Sequence, residues 1–438
     1  MSAISVSNEV AAGARPTENK RGCLFYLKRG IAGLLVLAVL VAAIAVIVWS
    51  RGLVQYPALT GQYPVGKVDY HLLDESRQEI FSEAPDDLRE LMVTIYYPAD
   101  VPEGASPAPF TEGALKTVVA DVLRLPDFIQ DTVRSRSFTN VALASGAAQF
   151  PLLIFSPGMG FMPLVYTPTL EEVASQGYIV VALSHPYSTS ATVFPDGRVI
   201  KSSSEYGSRA LSQISASATS ESEFAAVVNQ IGDVWIGDIR FTLDQLERLN
   251  VEDPFLTGRL DLSRVGVFGH SMGGGAVVEA LHDDPRLRAA INMDGTLVGD
   301  SASEGVNRPV MLMLSDEQAS LTADMLIQAG ATAENAGFIV ARGKTTVQTV
   351  YENGAPGYLF VLDGSKHVTY TTGAALASAL AFGAPADAFG TIPSERANHI
   401  INAYIVGFFD QYLKGEPSPL LEGAASSYPE VTLNVHTN

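Results

Sequence analysis

Cysteine is almost absent from this sequence. Among 438 residues there is one, Cys23, and it precedes the first long apolar segment. The chain after it therefore has no disulfide, no thiolate metal ligand and no cysteine nucleophile. Cys23 lies close enough to that apolar segment to be a candidate for palmitoylation, although an unmodified thiol is the simpler interpretation.

Basic residues are also scarce. Lysine and arginine number 28 against 47 acidic residues, which gives a net charge of −19. Six of the basic residues and two of the acidic ones lie at positions 1–51, so residues 52–438 carry a net charge of −23. A surface this acidic repels a phosphate backbone, which argues against nucleic acid as a partner. Apolar residues make up 47% of the chain, enough for a sizeable core.

Charge is missing altogether from one long run, IAGLLVLAVLVAAIAVIVW, at residues 31–49. At about 1.5 Å per residue, a helix of this length nearly spans the roughly 30 Å hydrocarbon core of a bilayer. Lys28 and Arg29 precede it, so the positive-inside tendency places residues 1–30 in the cytoplasm and the rest of the chain on the other side. A cleaved signal peptide is the alternative, but VIVWSRGL at the end of the run offers no small-residue cleavage site. The sequence thus predicts a single-pass transmembrane helix, followed by a linker at 50–60.

Beyond this segment, short apolar runs recur, and each ends at glycine, proline or a polar turn residue. Such runs are typical of strands buried on both faces of a parallel sheet. Seven of them are predicted strands, at residues 91–98, 151–158, 178–186, 264–271, 289–295, 309–316 and 357–364. Amphipathic helical patterns lie between them, so the sequence predicts an α/β domain with a mainly parallel central sheet and helices on both faces.

We place this domain at residues 61–420, with a C-terminal tail at 421–438. Three stretches fit the alternation of strands and helices poorly and are predicted insertions, at residues 99–149, 200–225 and 318–350. The serine-rich insertion at 200–225 is either a surface loop or a lid over a site.

One apolar run leads into a glycine-rich turn, RVGVFGHSMGGGAVVEAL, at residues 264–281. A strand that turns sharply into a helix needs minimal side chains around the turn, which Gly269 and Gly273 provide. Ser271 would then present its hydroxyl above the sheet edge as a nucleophile. Met272 would offer its backbone N–H at the positive end of the new helix, where a developing oxyanion is stabilised.

A serine hydroxyl needs a base that takes its proton and a carboxylate that orients the base. On a fold of this kind the chain order is serine, acid, histidine. His367 follows a late strand, and among the histidines after Ser271 it is the predicted base. Asp294 ends the strand after the nucleophile's helix and is the predicted acid, with Asp316, one strand later, as the alternative. His270 adjoins the serine, and its side chain is predicted to point away and pack.

A second oxyanion donor is expected from the loop after an earlier strand. FSPGMGF, at residues 155–161, follows the strand PLLIF, and its glycines permit a close backbone approach. The N–H of Met159 is the predicted donor, with that of Gly160 as the neighbouring alternative.

Four motifs in this order, DIRFTLDQL, GHSMGG, NMDG and GSKHVTY, resemble the platelet-activating factor acetylhydrolase group of α/β-hydrolases. Bacterial polyester hydrolases and cutinases are similar too. The resemblance covers roughly residues 60–415. It implies an α/β-hydrolase fold and a serine carboxylic-ester hydrolase that uses no metal or organic cofactor and acts on lipids with short or modified acyl chains.

Residue by residue, the resemblance implies the same roles for Ser271, Asp294 and His367, and for the N–H groups of Met159 and Met272. The sequence departs from the acetylhydrolases in one place. Where they often carry His-Gly in the oxyanion loop, this chain has Pro-Gly at 157–158, as the polyester hydrolases do.

The sequence as a whole predicts a membrane-anchored serine esterase with its catalytic domain outside the cytoplasm. We expect it to hydrolyse lipid-like or short-acyl esters through an acyl-enzyme, with the membrane and the ester substrate as its partners. The alternatives are a polyester hydrolase, a thioesterase or a peptidase on the same three residues, or a non-catalytic binding protein of the same fold.

Overall fold

The computed structural model describes residues 37, 40, 54–82, 84, 86–202, 220–371, 386–423 and 425–437. The chain divides into two compact units, Met1–Gly52 and Leu53–Asn438. The predicted membrane segment at 31–49 lies outside the described residues, apart from Leu37 and Leu40. Among the residues that are described, no helix has both the length and the apolar character needed to cross a bilayer.

The strands of the second unit are Val54–Gln55 (β1), Val65–Gln78 (β2), Leu88–Asp100 (β3), Val133–Arg134 (β4), Ser137–Thr139 (β5), Ala142–Leu143 (β6), Phe150–Ser156 (β7), Ile179–Ser184 (β8), Ala191–Val193 (β9), Val199–Lys201 (β10), Leu260–His270 (β11), Leu287–Met293 (β12), Val310–Ser315 (β13), Gly357–Leu362 (β14) and Val431–His436 (β15).

The α-helices are Gly113–Val122 (α1), Asp127–Gln130 (α2), Thr167–Ser175 (α3), Glu221–Glu252 (α4), Met272–Asp283 (α5), Ser301–Glu304 (α6), Asp316–Ala319 (α7), Ala323–Gln328 (α8), Ala333–Glu352 (α9) and Ser394–Phe409 (α10). Short 3-10 turns occur at Pro163–Tyr166, His367–Tyr370, Ala386–Phe389 and Pro419–Leu421, and a π-helical turn, Asp410–Lys414, continues α10.

One large sheet organises the second unit. Its strands follow the order β15-β14-β13-β12-β11-β7-β8-β3-β2-β5, with β6 paired to β3. The strands from β14 to β8 pair in parallel, whereas β15, β3 and β2 join it by antiparallel pairing. The sheet is therefore mainly parallel, as predicted, with antiparallel strands toward its edges.

Both faces of the sheet are buried, which is why its central strands are continuous apolar runs. In β7, Leu152 and Ile154 face one core while Leu153 and Phe155 face the other, as the two-residue period of a strand requires. The first core lies against α4, α5 and α9, and the second lies against α3 and α10. This arrangement confirms the predicted helices on both faces.

The long helix α4 starts inside the predicted insertion at 200–225. The hydroxyl of Ser220 accepts a hydrogen bond from the N–H of Glu223 at 3.2 Å and caps the helix. Residues 203–219, which make up most of this predicted loop or lid, lie outside the described part of the chain.

The structure corrects the predicted tail at 421–438. This segment contains β15, which pairs along the whole of β14. The strand went unpredicted because apolar and polar residues alternate in VTLNVH, a pattern typical of a half-buried edge strand and not of a continuous apolar run. The first long strand, β2, has the same mixed character and was also missed.

The other predicted insertions and the linker are packed structure as well. Part of the insertion at 99–149 forms a small apolar cluster that includes Phe110 and Val119, and Tyr56 from the predicted linker at 50–60 is buried in it. In the insertion at 318–350, Val350 at its end packs into the first core.

Candidate active site

Ser271 stands at the turn between β11 and α5. Its backbone has φ 54° and ψ −126°, a conformation that residues with side chains rarely adopt. A Cβ on Gly273 would lie 2.3 Å from the main-chain oxygens of Ser156 and Pro157. A Cβ on Gly269 would lie 2.5 Å from the main chain of Gly273. Both glycines are therefore required by the close approach of β7, β11 and α5.

Three predicted site residues meet at the carboxyl end of the sheet. His367 Nε2 lies 3.0 Å from Ser271 Oγ, and His367 Nδ1 lies 2.8 Å from Asp294 Oδ2. The side chain of Asp294 is 1% exposed, whereas that of His367 is 39% exposed. Because a carboxylate accepts hydrogen bonds, Nδ1 of His367 carries the hydrogen and Nε2 can accept from the serine hydroxyl.

Asp294 is fixed by the neighbouring strand β13. The main-chain N–H of Ser315 donates to Oδ1 at 2.6 Å, and the hydroxyl of Ser315 donates to Oδ2 at 3.0 Å. The N–H of Asp294 itself donates to the carbonyl of Met313 at 2.7 Å. Its backbone has φ 56°, a left-handed conformation. The strand end therefore holds the carboxylate with its second oxygen toward the imidazole.

Asp316, the alternative acid, has a different environment. Its Oδ2 accepts from the N–H of Gly364 at 3.1 Å, and its own N–H donates to Ser365 Oγ at 3.2 Å. The next residue, Glu317, accepts from the N–H of His367 at 3.4 Å. Asp316 thus holds the loop that carries the histidine, while the imidazole nitrogens contact Asp294 and Ser271.

The loop after β7 reaches the serine. A Cβ on Gly158 would lie 3.1 Å from the Cβ of Ser271. The N–H of Gly160 donates to the carbonyl of Ser188 at 2.9 Å, so this alternative donor is occupied. Within the described residues, the N–H groups of Met159 and Met272 have no protein acceptor. Both donors are therefore unoccupied in this part of the structure.

His270, predicted to pack away from the serine, is fully buried. Its Nδ1 lies 2.8 Å from the hydroxyl of Tyr166, and its Nε2 lies 3.0 Å from the main-chain oxygen of His367. Burial, and next the nearby His367, hold the pKa of His270 well below its ordinary value. The ring is therefore neutral, and it touches the histidine loop, a contact that sequence reasoning did not find.

A second serine, histidine and aspartate meet inside the protein. Ser156 Oγ lies 2.9 Å from His185 Nε2, and His185 Nδ1 lies 2.8 Å from Asp238 Oδ2. All three residues are fully buried. Arg89 donates to both oxygens of Asp238, at 3.0 Å and 2.5 Å, and Trp235 stacks on His185 with ring centroids 4.0 Å apart. The sequence signal was a polar residue at the end of each of two apolar strands and an aspartate on the apolar side of α4.

A cavity of about 130 Å³ lies beside Asp294. Gly295, Thr296 and Leu297, which directly follow the aspartate, form one wall, and much of the remaining wall comes from α9 and from the end of α7. A Cβ on Gly295 would lie 2.2 Å from the main-chain oxygen of Ser271, but the lining of the cavity does not include Ser271, Asp294 or His367. In the described part of the chain, no group of three or more His, Cys, Asp or Glu side chains is placed to hold a metal ion.

The mainly parallel sheet covered on both faces, with a strained serine where a central strand meets a helix, defines an α/β-hydrolase. The solved structure of a ferulic acid esterase from Streptomyces cinnamoneus is similar, with a TM-score of 0.68 and 28% identity over 86% of this chain and 98% of that chain. The chain belongs to the family of platelet-activating factor acetylhydrolase, isoform II, whose model matches residues 48–416.

Curated relatives agree with this family. A probable 1-alkyl-2-acetylglycerophosphocholine esterase of Arthroderma benhamiae is 26% identical over 92% of this chain and 98% of its own length. A bis(hydroxyethyl) terephthalate hydrolase of Streptomyces coelicolor is 32% identical over 23% of this chain and 41% of its own length. The family and these relatives show that the chain is a carboxylic-ester hydrolase, and they confirm the resemblance read from its motifs.

Proposed function

We propose that Ser271 is the nucleophile of this esterase, His367 its general base and Asp294 the group that orients the base. The observation that carries the proposal is the position of the imidazole, between Ser271 Oγ at 3.0 Å and Asp294 Oδ2 at 2.8 Å. The exposure of His367 supports it, because a substrate must reach the base.

In the proposed reaction, Ser271 Oγ attacks the ester carbonyl while His367 Nε2 takes its proton. The buried carboxylate of Asp294 stabilises the imidazolium that forms. The N–H groups of Met159 and Met272 donate to the oxyanion. His367 then gives the proton to the leaving alcohol, and water attacks the acyl-enzyme by the same route, which releases the acid and restores the serine hydroxyl.

We infer that the substrates are lipid-like or short-acyl esters. The name of the Arthroderma benhamiae relative supports an acetyl ester of a glycerophospholipid.

Esters of aromatic acids are a second candidate. The Streptomyces cinnamoneus structure is a ferulic acid esterase, and the Streptomyces coelicolor relative hydrolyses bis(hydroxyethyl) terephthalate according to its name. The Pro-Gly at 157–158 in the oxyanion loop, which resembles the polyester hydrolases, favours this candidate over a phospholipid.

We also propose that residues 31–49 anchor the enzyme in a membrane, with residues 1–30 in the cytoplasm and the catalytic domain on the other side. The charge-free run and the basic residues before it support this topology. Membrane extraction followed by mass measurement tests it, since a loss of about 5 kDa would mean that the segment is cleaved.

Labelling with a fluorophosphonate probe, followed by a panel of esters, tests the catalytic proposal. We expect the wild type to be labelled and Ser271→Ala to lose both labelling and turnover, by a factor of about 10⁶ in kcat. Ser156→Ala is the matched control, because Ser156 also contacts a histidine but is buried. This variant should still be labelled by the probe. Labelling that persists in Ser271→Ala would contradict the proposal.

The panel separates the substrate classes. It compares short-chain p-nitrophenyl esters, a 2-acetyl glycerophospholipid, a feruloyl ester, a thioester and an amide. The highest kcat/KM on the acetyl phospholipid supports the first candidate, and the highest on the feruloyl ester supports the second. A preference for the thioester or the amide would favour the thioesterase or peptidase alternatives, and a wild type without labelling or turnover would favour a non-catalytic protein.

A further inference from the structure

Tyr166 joins the two loops that carry the proposed chemistry. Its hydroxyl accepts a hydrogen bond from the N–H of Gly158, 3.1 Å away, in the loop that contains Met159. The same hydroxyl lies 2.8 Å from Nδ1 of His270. On the far side of that ring, Nε2 lies 3.0 Å from the main-chain oxygen of His367. One chain of hydrogen bonds therefore runs from the proposed oxyanion loop to the loop of the proposed base.

The direction of each hydrogen bond follows from the groups involved. The carbonyl of His367 accepts, so Nε2 of His270 carries the hydrogen. The ring is neutral because burial and the nearby His367 lower its pKa, so its Nδ1 is an acceptor. Burial raises the pKa of Tyr166, which keeps the phenol protonated. Tyr166 thus donates to His270 while it accepts from Gly158.

Close packing leaves this chain of hydrogen bonds little freedom. Tyr166 is 1% exposed, and His270 is 0% exposed. The rings of Phe155 and Tyr166 lie 4.8 Å apart, and those of His270 and His367 lie 4.6 Å apart. A Cβ on Gly158 would lie 2.9 Å from Nδ1 of His270. The tyrosine hydroxyl is therefore held between the two loops.

We propose that Tyr166 is a positioning residue for ester hydrolysis, which keeps the oxyanion loop in register with His367 through Gly158 and His270. The inference rests on the proposed function, because it takes the N–H of Met159 as an oxyanion donor and His367 as the base. Oxyanion donors act only when they are held within a fraction of an ångström of the developing charge. Without the phenol hydroxyl, the N–H of Gly158 and Nδ1 of His270 would both lack a buried partner.

The test compares Tyr166→Phe with Tyr178→Phe. Tyr178 is a matched control because it is also fully buried in the second core, and its hydroxyl donates to Asp410 at 2.7 Å. Among the described residues, neither Tyr178 nor Asp410 has a hydrogen bond to the loops that carry Met159 and His367. Both variants lose one buried phenol hydroxyl, so a general effect of that loss on stability should appear in both as a similar fall in Tm.

We expect Tyr166→Phe to lower kcat about 10- to 100-fold, the size of effect typical of a displaced catalytic group, with KM changed less than about twofold. Tyr178→Phe should keep kcat within about twofold of the wild type. A trifluoromethyl ketone inhibitor gives a second measurement, because its adduct with the serine carries an oxyanion. Its affinity should fall with kcat in Tyr166→Phe and stay unchanged in Tyr178→Phe.

Unchanged kcat and inhibitor affinity in a folded Tyr166→Phe would overturn the inference, as would an equal loss in Tyr178→Phe. If Tyr166→Phe does not fold, His270→Leu breaks the same chain of hydrogen bonds, and the same two measurements apply to it. Failure of the proposed function is distinguishable, because the wild type itself would then show no fluorophosphonate labelling or ester turnover.

Discussion

Two sets of serine, histidine and aspartate in this protein have nearly the same hydrogen-bond distances. In the buried set, the histidine nitrogens lie 2.9 Å from Ser156 and 2.8 Å from Asp238. In the exposed set, the distances are 3.0 Å to Ser271 and 2.8 Å to Asp294. Distances alone therefore do not separate a structural cluster from a candidate catalytic one.

The surroundings separate the two sets. His185 is fully buried, whereas the side chain of His367 is 39% exposed. Ser156 belongs to the parallel ladder of β7, while Ser271 has the strained backbone of a tight turn. The first set is therefore shielded from solvent, whereas the histidine of the second set is open to it.

The two carboxylates differ as well. Burial by itself raises the pKa of Asp238, but Arg89 and His185 outweigh burial and hold that pKa below its ordinary range. Asp294 contacts the N–H and hydroxyl of Ser315 and no arginine among its described hydrogen-bond partners. The buried set is therefore part of an ion-pair network in which Arg77 from β2 and Arg89 from β3 face Asp238 from α4. In the exposed set, the carboxylate has a single histidine to orient.

The largest expected difference between the two sets is in catalysis, and the variant Asp294→Asn tests it. An amide at this position orients the imidazole in the wrong tautomer, so kcat should fall by about 10⁴ while the protein stays folded. Asp316→Asn is the matched control, because this carboxylate contacts the histidine loop and not the ring, and its loss should be far smaller. Steady-state kinetics on a p-nitrophenyl ester measure both, and a larger loss in Asp316→Asn would reverse the assignment of the acid.

The buried set should show its effect in stability. Asp238→Asn removes the charge that Arg89 and His185 face, and breaking a buried ion pair costs about 3–5 kcal/mol. Denaturant unfolding should report this loss, while kcat per folded molecule stays near that of the wild type. A variant that unfolds like the wild type but has lost its activity would contradict the structural role of this network.

The smallest expected effect is a decline in stability below neutral pH. Burial lowers the pKa of His185, and burial together with His367 lowers that of His270. Below about pH 6.5 the unfolded chain takes up protons that the folded chain excludes, so stability present above that pH is lost progressively as the pH falls through the lowered pKa values of the folded state. Thermal unfolding across this range measures the effect, and a Tm that rises on acidification would contradict it.

Glu171 opposes this trend and provides the control. Burial raises its pKa, so its contribution is fully present below the ordinary carboxyl pKa and is lost as the pH rises through the raised value. In Glu171→Gln that contribution is gone. The decline in Tm between about pH 7 and pH 5 should therefore be steeper than in the wild type, and an equal slope would mean that this residue does not take part.

Much of the candidate site could be predicted because its signals are local. Ser271 lies between glycines whose spacing is needed for one tight turn, and Asp294 and His367 each follow an apolar strand in the order that the fold imposes. Parallel strands bring such strand ends to the same edge of the sheet. Their catalytic roles stay predictions until the variants are measured.

The missed features depend on contacts between distant parts of the chain. Tyr166 and His270 are 104 residues apart, and Arg89 and Asp238 are 149 apart. The sequence around each of these four residues gives no indication of its partner. The half-buried strand β15 was missed for a related reason. Its alternating pattern alone does not show that it pairs with β14.

The antiparallel strand β15 gives the sheet its boundary on the side of the histidine loop. Without it, the hydrogen-bonding edge of β14, Gly357–Leu362, would be free to pair with another molecule. The residue before β15 also holds the connection between β14 and the histidine loop, because the N–H of Asp363 donates to the carbonyl of Glu430 at 2.8 Å. A chain shortened at residue 420 would thus expose this edge to edge-to-edge aggregation, and the connection to the histidine loop would lose the hydrogen bond from Asp363 to Glu430.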